Sequence, residues 1–413
     1  MREARGALNI VLGSALVIRL LVLVLSSVVP DLQTFVVGGD AIGYEQLARN
    51  LFLHRAFMFD DGDLTSYRMP GYPLFLALTY VQWNTPLPAQ LVQILADVIT
   101  IFAVYLIGMQ ISKLPVVSLL AASAIALNPV MIVSSVSLYP DTLATAFVIV
   151  AMIILLKNGK SRFTGLLASV LLAAGIYMKP SIAIVSLALI LAFALYRIMR
   201  FGRSYDIAYT LIMQLLIILF LLSPWIIRNH IVMDAIVPLT TSTGNNLFGG
   251  NNPQADGGYV SSEPYVLTNT SEIESDRIFT NRAFSWIRSN PGDFVRLLPA
   301  KILRLMSLLS LGTSGYLSVP DFVARIVGFI TVSFYLLVLI GGIQVAASKH
   351  PYEGLILIAA PAAIFITTLM TFGASRFLLP GFPTLAVLAS IGLEAAWSKL
   401  KVMISLSQSP SLN

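Results

Sequence analysis

The sequence predicts an all-α, polytopic membrane protein of about 10 or 11 transmembrane helices, with two long extracytoplasmic loops that carry juxtamembrane helices. Composition is the first reason. Of the 413 residues 57% are hydrophobic and 11% charged, and the mean hydropathy is +0.84, more apolar surface than soluble packing can hide. The second is that apolar stretches recur at the length of about 20 residues that crosses the hydrocarbon of a bilayer. The third is the placement of cations: Arg2, Arg5, Lys157, Lys160, Arg162, Arg197, Arg200 and Arg203 lie before or between those stretches, as topology signals facing the cytoplasm do. The net charge of +6 therefore does not call for nucleic acid as a partner.

Taken in order, the first apolar run, Leu8 to Val29, is longer than a signal-peptide core and has no small-residue cleavage site, so it reads as a retained anchor. Spans are predicted near 8–29, 89–111, 114–129, 132–156, 163–179, 181–199, 207–227, 322–347, 353–372 and 376–397. With the N-terminus inside, Lys113, the Lys157 to Arg162 and Arg197 to Arg203 clusters, Lys349, Lys399 and Lys401 all fall on the cytoplasmic side. The chain then divides into a transmembrane module over 1–229 that contains the first outer loop, 30–88; a large outer loop, 230–321; further spans over 322–398; and a cytoplasmic tail, 399–413, expected to be disordered after Ser405.

Within the first loop, 71–83 is too short to span and contains Pro73, which suits a re-entrant or interfacial helix. The large loop has three parts. Thr243 to Pro253 carries a Gly-Asn-Asn unit twice and reads as an ordered, tight-turned loop. Glu272 to Arg288 has apolar residues at helical spacing and is stopped by Asn290-Pro291-Gly292. From Asp293, Phe294, Leu297, Leu298, Ile302, Leu305 and Leu309 share a face, with Arg296, Lys301 and Arg304 on or beside the other. That pattern fits an amphipathic helix in the outer interface, the alternative being an eleventh span over about 297–318.

Cysteine is absent, which excludes disulfides and thiolate metal sites. His54, His230 and His350 have no ligand partner at helical spacing, and there is no P-loop, dinucleotide fingerprint or Ser-His-Asp signature. No protein-bound metal is required, although a divalent ion between two acids is left open. Asn269-Thr270-Ser271 fits a glycosylation sequon that matters only in a eukaryotic secretory membrane.

Two acids stand at predicted outer span ends. Asp40 follows Gly38-Gly39 and either caps a short helix or serves as general base toward an acceptor hydroxyl. Asp141, in Tyr139-Pro140-Asp141, is either another cap or a second carboxylate facing Asp40 across one cavity. Arg68, Lys179, Arg228 and Arg376 lie at similar predicted depth and either snorkel to headgroups or converge on a lipid phosphate. Tyr44, Tyr67, Tyr139, Asn245, Asn246 and Asn251 are the candidates for substrate contact. Arg19 is mid-span and should face the bundle interior with a partner.

Gly39-Asp40 with Tyr44, Arg68-Met69-Pro70-Gly71-Tyr72-Pro73, Tyr139-Pro140-Asp141, Lys179-Pro180, Pro224-Trp225 with Arg228-Asn229, the Gly244 to Gly258 loop and Ser375-Arg376-Phe377-Leu378-Leu379-Pro380 resemble, in that order, the multispan GT-C glycosyltransferases. That superfamily includes protein O-mannosyltransferases and bacterial aminoarabinose transferases of lipid A. The resemblance implies a GT-C-like bundle and an inverting glycosyltransferase. It implies a polyprenyl-monophosphate-linked sugar as donor and a glycan, lipid or protein as acceptor. Asp40 matches the catalytic aspartate of the first loop, and Asp141 the acidic position of the second. The implied setting is a bacterial or archaeal plasma membrane with the site facing outward. Arg68-Met69-Pro70 stands where aminoarabinose transferases have an acidic-lysine-proline sequence, and Asp40 is followed by Ala41 where mannosyltransferases have an acidic pair. The rival readings are a ligase or polymerase using a pyrophosphate-linked glycan, and a lipid transporter or flippase; the latter predicts inverted repeats that the sequence lacks.

Overall fold

The computed structural model describes residues 2–29, 36–60, 62–157, 161–202, 205–260, 270–308, 320–348 and 351–408. Lys160, Arg203, Lys349, His350 and Asn269 lie outside these residues, as do the end of the proposed 297–318 span and the tail beyond Gln408. Helices occupy all ten predicted stretches: α1 (Arg2–Val28), α4 (Leu87–Ser112), α5 (Pro115–Ala126), α6 (Pro129–Val136), α7 (Asp141–Lys157), α8 (Arg162–Met178), α9 (Ile182–Phe201), α10 (Tyr205–Met233), α14 (Asp321–Ala346), α15 (Glu353–Met370) and α16 (Phe382–Gln408). Outside those stretches the structure adds α2 (Asp40–His54), α3 (Gly71–Thr79), α11 (Thr243–Gly250), α12 (Glu272–Ser289) and α13 (Pro291–Met306).

Fewer than ten of these helices have by themselves the length and apolarity of a crossing. Among the described residues six helices are long and apolar enough to cross a membrane, seven if α5 and α6 form one bent crossing. The predicted 132–156 crossing is divided. Asn128 accepts a hydrogen bond from the Met131 amide at 3.0 Å and Pro129 occupies the first turn of α6, so a new helix starts there and bends 54° from α5. Asp141 then opens α7, whose 17 residues reach about 25 Å at 1.5 Å per residue.

Packing within the bundle is close where side chains are small. A Cβ on Gly341 of α14 would overlap the Leu388 carbonyl of α16, and one on Gly392 would overlap the Leu337 carbonyl, which is how helices approach without a hydrophobic drive between them. Arg19 of α1 finds its partner in Asp97 of α4 at 2.5 Å, and it also donates to the Ala126 carbonyl at the end of α5 at 2.9 Å. The ion pair thus caps the helix that breaks.

Two local expectations change in the segment between α10 and α14. Thr243 to Gly250 is helix rather than tight turns, because Gly244 and Gly250 let it press on the Asp276 and Thr371 carbonyls. Asn251 and Asn252 then cap its last carbonyls, donating to Leu247 at 2.7 Å and Phe248 at 2.8 Å. In α13, Arg296 is exposed as expected, whereas Lys301 and Arg304 are buried. Lys301 donates to Asn251 at 2.7 Å and Arg304 pairs with Asp256 at 2.6 Å, so these two cations face protein rather than water. The α3 segment within 71–83 is a helix of nine residues, too short to span.

Candidate active site

The site is built at the end of the bundle where α1, α6, α8 and α15 hand over to loops. Gly39, at φ +59°, turns the chain into α2 and makes Asp40 its first residue. The Tyr139 hydroxyl donates to the Gly38 carbonyl at 2.8 Å, which ties this turn to the segment before α7. Asp40 is then forked by two arginines from distant segments. Its Oδ1 accepts from Arg68 Nη2 at 2.7 Å and its Oδ2 from Arg376 Nη2 at 2.5 Å. Arg68 lies over the Tyr44 and Tyr67 rings at 4.9 and 5.3 Å, and Arg376 over Tyr139 and Phe377 at 4.8 and 5.5 Å. Stacking holds each guanidinium plane in place. The Nε atoms of both arginines are buried with no hydrogen-bond partner.

Asp141, the first residue of α7, is buried and paired with Lys179, which follows α8. The Lys179 ammonium sits 4.7 Å from the Phe377 ring, the ring that also faces Arg376. Asp40 and Asp141 both act electrostatically on Arg376, Tyr139 and Tyr44. The two acids therefore share one neighbourhood, in which three cations, Arg68, Arg376 and Lys179, outnumber two carboxylates.

Burial alone would raise the Asp40 pKa, but Arg376 and then Arg68 outweigh it and hold the carboxyl below its usual range. Burial would ease protons off Arg68 and Arg376, yet Asp40 and the neighbouring tyrosines keep both firmly charged. Desolvation pushes Tyr44 up to about 12, and Tyr67 and Tyr139 move the same way. The tyrosines are neutral donors at physiological pH.

The remaining candidates lie at the edge of this cluster. Asn245 donates to the Tyr67 and Tyr259 hydroxyls at 2.8 and 3.0 Å, and Asn246 follows it on α11. Asn251 is buried beneath α13 and bonded to Lys301 and the Met370 carbonyl. Arg228 gives its donors to the carbonyls of Thr65 at 2.7 Å and Phe57 at 3.3 Å; it is spent on the first loop rather than on Asp40. Phe377, Thr65, Ser66 and Glu272 are contributors that sequence reasoning missed. Phe377 lay inside a quoted motif, while nothing in spacing connects residues 65 and 272.

A small pocket lies beside Ser375, lined among others by Val130, Leu305, Leu308, Tyr335, Leu379 and Phe382. The residue after Ser375 is Arg376, so this pocket adjoins the cationic cluster. No group of three or more potential metal ligands occurs among the described residues. The oxygens of Asp40 and Asp141 face guanidinium and ammonium groups.

The profile of the dolichyl-phosphate-mannose-protein mannosyltransferase family matches residues 69–227. The fold is similar to the apo oligosaccharyltransferase of Archaeoglobus fulgidus, with TM-score 0.56 and 13% identity over 98% of this chain and 52% of that one. It is similar also to ArnT from Cupriavidus metallidurans bound to undecaprenyl phosphate, with TM-score 0.57 and 14% identity over 97% and 63%. The chain has the GT-C fold. A third GT-C likeness is the Archaeoglobus fulgidus oligosaccharyltransferase AglB in complex with an inhibitory peptide and a dolichol-phosphate, with TM-score 0.52 and 13% identity over 96% of this chain and 52% of that one. The chain thus spans about half to two thirds of the length of these GT-C structures. No curated protein sequence matches it.

Proposed function

We propose that the chain is an inverting glycosyltransferase that moves a sugar from a polyprenyl-monophosphate donor to an acceptor hydroxyl at the extracytoplasmic membrane face. The observation that carries this reading is the Asp40 carboxylate forked by Arg68 and Arg376, whose Nε–H groups lack acceptors. A phosphate supplies those acceptors. Guanidinium forks match phosphate oxygens in pairs. The family profile and the ArnT complex support the same donor class.

With the donor absent, Asp40 is anionic but a poor base, because both its oxygens are engaged and its pKa is held low. Donor phosphate competes for the two guanidinia and thereby returns basicity to Asp40 when a substrate is in place. The acceptor oxygen attacks the anomeric carbon as the bond to the phosphate oxygen breaks. The bonding pair leaves with polyprenyl phosphate, and the acceptor proton passes to Asp40. Arg68, Arg376 and Lys179 stabilise the charge that grows on the leaving group, a role for fixed cations that does not need a metal. Lys179 is oriented by Asp141. Direct displacement inverts the anomeric centre. Glycan, lipid or protein acceptors reach Asp40 from the aqueous side, past the Asn245 and Asn246 end of α11, and the site faces outward.

The test is incubation of the purified protein in lipid with a panel of polyprenyl-monophosphate sugars and candidate acceptors, following polyprenyl phosphate release by mass spectrometry. Release from at least one monophosphate donor is expected. Turnover restricted to diphosphate donors would replace this reading with that of a ligase or polymerase.

A further inference from the structure

Two residues before Arg68, the dipeptide Thr65-Ser66 is buried, at 2% and 0% exposure, and every one of its polar groups is engaged. The Thr65 amide donates to the Phe57 carbonyl at 3.0 Å and the Thr65 carbonyl accepts from Arg228 at 2.7 Å. Ser66 donates through its hydroxyl to Asn229 at 2.8 Å, and its carbonyl accepts from the Thr241 amide at 3.2 Å. The last two groups belong to Glu272, the first residue of α12. Its Oε2 accepts from the Thr65 hydroxyl at 2.7 Å and its Oε1 from the Ser66 amide at 3.0 Å, and Oε1 also accepts from the Thr241 hydroxyl.

The Thr65 hydroxyl is a relay. While donating to Glu272 it accepts from the Tyr67 amide at 2.9 Å, which fixes the backbone immediately before Arg68. The Tyr67 ring in turn lies under the Arg68 guanidinium, and Asn245 holds the Tyr67 hydroxyl. A carboxylate on the large outer loop therefore sets the direction of a guanidinium on the first outer loop, through one hydroxyl. A buried dipeptide with all its groups satisfied has a single arrangement, because shifting it strands several donors and acceptors at once.

Building on the proposed function, we propose that Glu272 is a positioning residue for the donor-phosphate site, acting through Thr65 to aim Arg68 at Asp40 and at the donor phosphate. The binding part of the transferase site then spans both outer loops.

The test is equilibrium binding of a polyprenyl monophosphate to the full-length protein in lipid, with acceptor KM measured alongside on the same variants. Thr65→Val and Glu272→Gln should each weaken binding about tenfold, equal to about 1.4 kcal/mol. Thr65→Ser, which keeps the hydroxyl, should bind as wild type, and acceptor KM should stay within twofold for all three. In an Arg68→Ala background Thr65→Val should add nothing, since the group it aims is gone. Unchanged affinity in Thr65→Val, an equal loss in Thr65→Ser, or a full further loss in the Arg68→Ala background would each overturn the proposal. If Arg68→Ala and Arg376→Ala themselves leave binding unchanged, the donor-phosphate reading fails instead.

Discussion

Replacing Arg376 by alanine removes the stronger of the two cationic holds on Asp40. Its Nη2 lies 2.5 Å from Asp40 Oδ2 and its side chain is 12% exposed, so the interaction is a largely desolvated, charge-assisted hydrogen bond. Such bonds contribute about 1.5–3 kcal/mol. If the same donors are delivered to the donor phosphate, polyprenyl monophosphate should bind roughly 10- to 100-fold more weakly, since each 1.4 kcal/mol is tenfold. A second consequence follows from the charges. Burial raises the Asp40 pKa, and Arg376 is the largest influence opposing it. With Arg376 gone, the Asp40 pKa must rise. Transfer needs anionic Asp40, so activity present above the pKa is lost as pH falls through it. The acid limb of kcat/KM, which reports the donor-free enzyme and lies below the usual carboxylate range of about 4 in the wild type, should move upward in the variant. The assay is donor binding and transfer rate from pH 4 to 8 for wild type, Arg376→Ala and Arg376→Lys, the lysine variant restoring charge without the fork. Wild-type donor affinity together with an unmoved acid limb in Arg376→Ala would refute the reasoning.

Arg19→Ala should cost about 3–5 kcal/mol by leaving Asp97 charged and buried without a partner, and Arg19→Met with Asp97→Leu should recover most of the thermal stability lost by Arg19→Ala. Buried Lys301 has its pKa lowered to about 8 by desolvation. The folded state then binds fewer protons than the unfolded one between that value and about 10.4, so thermal stability should rise as pH increases from about 8 to 10, and Lys301→Met should flatten that rise. Gly341→Ala should loosen α14 from α16, because a Cβ there meets the Leu388 carbonyl; faster proteolysis around residues 346–352 would report it.

The bundle was legible because apolar length writes itself directly into sequence: each predicted stretch became helix. The break at Asn128-Pro129 was visible as residues but overridden by the unbroken apolarity around it, and only the Asn128 cap shows that a new helix starts there. Periodicity set Lys301 and Arg304 on a water-facing stripe. It could not see that Asn251 and Asp256, about 50 residues earlier, would offer them partners inside the protein. The same limit applied at the site. Asp40, Arg68 and Arg376 stood out as charges at helix ends, yet separations of 28 and 336 residues hide their fork from any local pattern. Phosphate recognition was anticipated for Arg228 as well, whereas its guanidinium braces Thr65 and Phe57. A long cation near a span end can serve lipid, phosphate or a neighbouring carbonyl, and composition does not distinguish among them.

In the proposed reaction Asp40 does chemistry while Arg68 and Arg376 hold phosphate. Single-turnover transfer and polyprenyl-monophosphate binding, measured together on Asp40→Asn, test it most directly. Transfer falling by at least about a hundredfold, as loss of a general base requires, with donor binding retained or tightened as the arginines are released, is the predicted result. Transfer near the wild-type rate in that variant would contradict the account.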